Sequence, residues 1–135
     1  MTYGMTLLSG ALVAIALAVH QTPQPIVRKP LLDAVIAPDK MVHTAKMVSI
    51  DFAPAQKTGA HRHPIPVVGY VVKGSITFQI EGQAARTLMA GEAFFEPANA
   101  KIVAFDNVSK NEPASFMACY LMGAADRELI EMLPD

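Results

Sequence analysis

Apolar and polar residues alternate in short runs over most of the chain, and turn residues punctuate the runs at close intervals. Lys40 to Phe52 reads as one or two strands, closed by Asp51-Phe52-Ala53-Pro54. The Gln56–Gly59 loop leads into Ala60–His63, and the β-rich runs Val67–Lys73 and Ser75–Glu81 flank Gly74. Arg86–Met89, Ala93–Glu96, Ala100–Phe105 and Phe116–Met122 continue the series, with Gly, Pro and Asn between them. Strand side chains alternate between faces with period two, so each run can bury one face against a second sheet. Many short strands in this rhythm predict a β-sandwich or barrel. Only Asp126 to Leu133 is expected to differ, as one or two helical turns.

The first forty residues follow another pattern. Met5 to Val19 is almost wholly apolar, and the first charged side chain is Arg28. The run is shorter than the ~20 residues that span a bilayer. Ala16-Leu17-Ala18 supplies a small-x-small cleavage site. Residues 1–18 are therefore expected to be a signal peptide, placing the mature chain in the periplasm or outside the cell; an uncleaved membrane anchor is the alternative. Residues 19–38 hold Pro23, Pro25, Pro30 and Pro38 and read as an extended arm, leaving 39–135 for one β domain. Ile26, Val27, Leu31, Leu32, Val35 and Ile36 make the arm too apolar to hang in water. Two placements are open: it joins the sheet edge of a second copy in a homodimer, or folds back on its own barrel.

At 135 residues with a net charge of −1, the chain makes one domain with no basic surface, which excludes a nucleic-acid partner. Cys119 is the only cysteine, so no intrachain disulfide forms, and its apolar run predicts a buried small hydrophobe. The methionines, Met117 and Met122 among them, read as core filling in preference to a soft Cu(I) site. No nucleophile elbow, phosphate-cradling glycine loop or His-Glu-x-x-His helix is present.

Chemistry concentrates at His61-Arg62-His63. On a strand both imidazoles face one side and can hold one metal ion. Glu96 is the best carboxylate to join them, at the end of its strand and on the same face as Phe94; it is expected as a ligand or as an acid/base group. Glu92 reads as exposed. Asp106 shares the face of Ile102 by period two and reads as a turn cap. His43 could line the site or lie on the surface.

His61-Arg62-His63-Pro64 with Gly69-Tyr70-Val71-Val72-Lys73-Gly74, and then Ala90-Gly91-Glu92-Ala93-Phe94-Phe95-Glu96-Pro97 with Asn107, resemble the two motifs of the cupin superfamily in order and separation. The resemblance runs from about Val48 to Met122 and implies a jelly-roll β-barrel whose mouth holds a ligand or metal. It also implies a divalent metal (Fe, Mn or Zn) on the paired histidines, a glutamate shortly after them and a third histidine in the second motif. The glutamate slot here is Val67 and the third-histidine slot is Ile102; Asn99 stands where the glycine after the proline is usual. Only His61 and His63 remain of that set. The chain is thus expected to be an exported small cupin binding a small organic molecule, with a reduced metal site at His61 and His63. Tyr70, Phe94, Ile102 and Val67 would line the ligand pocket. The alternative is a metal-dependent oxygenase or lyase using His61, His63 and Glu96.

Overall fold

The structure is a computed structural model and describes residues 23–134. The segment expected to direct export lies outside the described residues. Nine strands follow in order: β1 Thr44–Phe52, β2 His61–Arg62, β3 Val67–Lys73, β4 Ser75–Ile80, β5 Arg86–Met89, β6 Ala93–Glu96, β7 Ile102–Asn107, β8 Ala114–Met122 and β9 Glu131–Met132. They form two antiparallel sheets, ordered β1-β8-β3-β6 and β5-β4-β7-β2-β9. The expected all-β jelly roll is present as two facing sheets.

Period two builds the core. From the first sheet Val67, Val71, Phe94, Phe116, Ala118 and Tyr120 turn inward, and from the second Ile76, Phe78, Leu88, Ile102 and Phe105 meet them. Phenylalanine rings interlock across the gap, with Phe105 4.8 Å from Phe116 and 5.0 Å from Phe94 between centroids. Such pairs add ~0.5–1.5 kcal/mol each beyond the area they bury.

Three expectations fail. Asp126 to Leu133 is not helical: Glu131 and Met132 pair with Arg62 and His61 as the edge strand β9. Tertiary pairing here overrides a local preference that is weak over so few residues. Asp106 does not share the face of Ile102, because the β4–β7 register shifts at Gln79/Ile80 and turns Phe105 and Asn107 inward instead. Asp106 Oδ1 accepts the Thr58 amide at 3.3 Å. Cys119 is not fully buried, since it projects from the outer face of β8 into a groove shared with Met47 and Met117. His43 and Glu92 are exposed.

Candidate metal centre

His61 and His63 leave β2 on the inner side, their rings 5.2 Å apart, only 2% and 5% exposed. Each ring is aimed by a backbone carbonyl. His61 Nδ1 donates to the Gly59 carbonyl at 2.9 Å, and His63 Nδ1 donates to that of Leu129. A carbonyl only accepts, so both Nδ1 atoms carry protons and both Nε2 atoms point into the interior. Gly59 bends the chain at φ +85°, a conformation that side chains disfavour, and this sets its carbonyl beneath His61. Asn99 adopts φ +63°, which asparagine tolerates best after glycine, and its amide donates to the His63 carbonyl at 2.7 Å.

Glu96 closes the site. Its carboxylate lies 3.1 Å from His63 Nε2 and 4.0 Å from His61 Nε2, and it is 4% exposed. Strand pairing explains how it arrives there. Val67 sits directly opposite Glu96 on one side and Tyr120 on the other, so the three side chains stand in a row on the inner face. Cross-strand neighbours are ~5 Å apart. A carboxylate on β6 thus reaches the region served by the vacant slot on β3. Ile102 is paired with His61 on the far side. Val67 and Ile102, expected to line the ligand pocket, are instead fully buried core beside the histidines and the glutamate and do not reach the cavity.

The cavity in front of these groups has a volume of about 130 Å³. Phe94, Phe105 and Phe116 form much of its wall, with Thr58, Tyr120 and Ile130 also reaching it. Tyr70, expected in this pocket, is 38% exposed and projects from the other face of β3. Counting by twos from Val67 puts Gly69 and Val71 inside and Tyr70 outside. Tyr120, Thr58 and the Leu129–Ile130 tail were not anticipated. The alternation Phe116, Ala118, Tyr120 along β8 signals the tyrosine, whereas nothing local signals the tail.

Burial pushes the His63 pKa down, but the hydrogen bond and charge of Glu96, with the Leu129 carbonyl, together outweigh it and leave His63 raised. Tyr120 is raised by burial and by the Glu96 charge. Without metal, the stabilisation from His63 is fully present below its unfolded value near 6.5 and is lost as pH rises through the higher folded value. The melting temperature of EDTA-treated protein should therefore fall as pH rises above about 6.5, and His63→Gln should flatten that fall. A melting temperature that climbs with pH in the parent would contradict it.

The tail is held to this region from outside. Arg62 points away from the cavity and donates two hydrogen bonds to Glu131, at 2.8 and 3.0 Å. That pairing keeps the Arg62 pKa up and the Glu131 pKa down. Lys40 holds Asp126 below the usual carboxylate range, and Asp126 Oδ2 accepts the Gly123 amide at 2.6 Å.

The donor set suits a divalent transition metal. The candidate ligand atoms of His61, His63 and Glu96 all lie within 4.8 Å of one another. Two atoms bonded at ~2.0–2.2 Å to one ion are separated by about 3–4 Å, so little adjustment is needed. Two imidazoles with one carboxylate are the protein ligands of non-haem iron sites and of several zinc enzymes.

A family model described as Cupin domain matches residues 48–120. The chain belongs to the cupin family. No curated protein matches it. Among solved structures, the cupin fold is similar to that of a cupin-like protein from Thermotoga maritima, at 21% identity and a TM-score of 0.57, covering 66% of this chain and 64% of that one. It is also similar to the DMSP lyase DddQ from Ruegeria pomeroyi DSS-3, at 16% identity and a TM-score of 0.56, over 65% of this chain and 42% of that one. An oxalate oxidase in complex with the substrate analogue glycolate shares 28% identity at a TM-score of 0.52, over 57% of this chain and 41% of that one. This cupin spans less than half the length of the lyase and oxidase chains it matches.

Proposed function

We propose that this cupin holds one divalent transition metal on His61, His63 and Glu96 and acts on a small organic molecule in the apolar cavity before it. The observation that carries the reading is the convergence of two carbonyl-anchored imidazoles and a carboxylate in a buried site. Anchored Nδ1 atoms fix the tautomer that leaves Nε2 free to ligate. When bound, a metal of this kind polarises a substrate oxygen or activates a water. The phenylalanine wall excludes solvent, and a cavity of about 130 Å³ limits the substrate to a few non-hydrogen atoms. The metalloenzyme reading is preferred over a metal-poor binding module because Glu96 brings the donor set to three. The module reading keeps one observation in its favour: no side-chain polar atom buried among the described residues lacks a hydrogen-bond partner, so the fold is satisfied without an ion. Metal analysis of tag-free protein decides between them. About one equivalent of Fe, Mn or Zn, with a melting temperature lowered by EDTA, is expected, since a ligand bound only by the folded state stabilises it. Well under one equivalent, with no response to EDTA, would leave the binding module.

We further propose export and homodimerisation. Export rests on the apolar run before Val19 and its Ala16-Leu17-Ala18 site. Leu31 and Leu32 of the arm lie against the chain's own four-stranded sheet, whereas Ile26, Val27 and Val35 are 80%, 86% and 82% exposed and are available to a second copy. Light scattering should find a dimer for protein starting at Val19 and a monomer for protein starting at Asp39. Equal masses would remove the arm from assembly.

A further inference from the structure

The outer face of the four-stranded sheet carries a second concavity, on the far side of the sheet from the histidines. Met47, Val68, Tyr70, Met117 and Cys119 project into it from β1, β3 and β8, and Leu31 and Leu32 of the arm form the opposite wall. An antiparallel sheet that packs one face on a core ordinarily turns polar side chains to water on the other. Here the stretch of that face formed by Met47, Val68, Tyr70, Met117 and Cys119 is apolar as well, with Ser49, Asp51 and Ser115 lying farther along β1 and β8. The arm only partly covers it: Leu31, Met47 and Tyr70 remain 50%, 61% and 38% exposed. The volume of about 560 Å³ is several times that of the inner cavity and within the range of small-molecule sites.

Charge is confined to one end. Among the described residues, Lys29 is the only charged side chain lining the groove, and a continuation beside the arm adds Arg86 and Glu92. The Arg86 guanidinium is set there by stacking 5.2 Å over the Phe78 ring. The Glu92 carboxylate accepts the Met89 amide at 2.6 Å, which occupies part of its hydrogen-bonding capacity. Among the described residues, two cations and one anion therefore stand at the end of a channel whose other lining side chains are uncharged.

We propose that this groove binds a free fatty acid, its chain between the arm and the sheet and its carboxylate toward Lys29 and Arg86. A second copy is a poor fit, because the groove's far wall is the chain's own arm and a flat sheet cannot lie down on it. The site is independent of the metal reading and survives that reading's failure.

Cys119 is the only cysteine and lines the groove, so its alkylation by iodoacetamide reports occupancy directly. Saturating dodecanoate should slow that alkylation about tenfold in the purified full chain, with the metal content unchanged. Lys29→Ala with Arg86→Ala should raise the dodecanoate concentration required about tenfold and leave protection by the neutral methyl ester unaltered. Met117→Arg, which fills the groove, should abolish protection; if that variant fails to fold, the surface pair at Lys29 and Arg86 still decides. The proposal is overturned if dodecanoate leaves the parent rate unchanged, or if the paired variant is protected as well as the parent. It is equally overturned if protection follows protein concentration alone, marking a second copy, or arises with phosphatidylglycerol vesicles and not with free acid.

Discussion

Glu96→Gln should weaken the binding of Zn²⁺ or Mn²⁺ by about 100-fold or more, because it takes the charged donor out of a three-ligand set. The variant keeps the side-chain volume and loses the charge, so the packing around Phe94 is retained. What disappears is the carboxylate 3.1 Å from His63 and 4.0 Å from His61. Two imidazoles alone fall short of the three protein ligands that catalytic zinc sites use. Each tenfold loss corresponds to ~1.4 kcal/mol, so an effect of this size also appears as a smaller rise in melting temperature when metal is added. Ile102→His should move affinity the other way. Ile102 is paired with His61 across β7 and β2, so a third imidazole would emerge beside the first two. Parent-like metal affinity in Glu96→Gln would remove Glu96 from the ligand set.

The sequence pattern carried much of this. Strands β3, β5 and β6 occupy Val67–Lys73, Arg86–Met89 and Ala93–Glu96, the bounds that alternation and turn residues indicate. The two positions read as motif slots both lie beside the site, Val67 opposite Glu96 and Ile102 opposite His61. What alternation cannot convey is which strands lie side by side. Reading each motif along its own strand leaves two of the four cupin ligands and offers Glu96 only as a candidate third, at the end of an aromatic strand. Glu96 joins the histidines through pairing between β3 and β6, a long-range relation that no local window contains. The tail departs from its expected helical form for the same reason. Asp126 to Leu133 is short and has mixed preferences, and its fate is set by an open edge at β2 and by the Arg62–Glu131 pair. The bulge at Gln79/Ile80 reversed the facing of Asp106, because one extra residue inverts all that period two implies beyond it. Tyr70 is expected in the pocket, although its odd separation from Val67 places it on the opposite face of β3.

Gly69→Ala should destabilise the fold by ~3 kcal/mol, at the upper end for an overpacked core, and lower the melting temperature by about 10 °C or more. Gly69 lies on the inner side of β3 directly opposite Phe94, whose ring lies across it. A Cβ built there would stand 2.0 Å from Phe94 Cζ, with Cε1 and Cε2 at 2.4 and 2.5 Å. Contacts that short do not occur between real atoms, so the ring must move. It has little room: Phe94 is 1% exposed and meets Phe78, Phe105 and Phe116 at centroid distances of 6.1, 5.0 and 6.0 Å. The reduced freedom of an unfolded chain with alanine for glycine returns only ~0.4–1 kcal/mol. The displacement also reaches the metal centre, because Phe94 and Glu96 share β6 and project from the same face. A double-mutant cycle isolates the cause. Phe94→Leu alone should be costly through the cavity it leaves, but in the Gly69→Ala background part of that space is filled, so the combined loss should fall short of the sum by about 1 kcal/mol or more. Strict additivity would mean that the glycine is not held by the ring above it, and that the close approach of β3 and β6 which positions Glu96 has another origin.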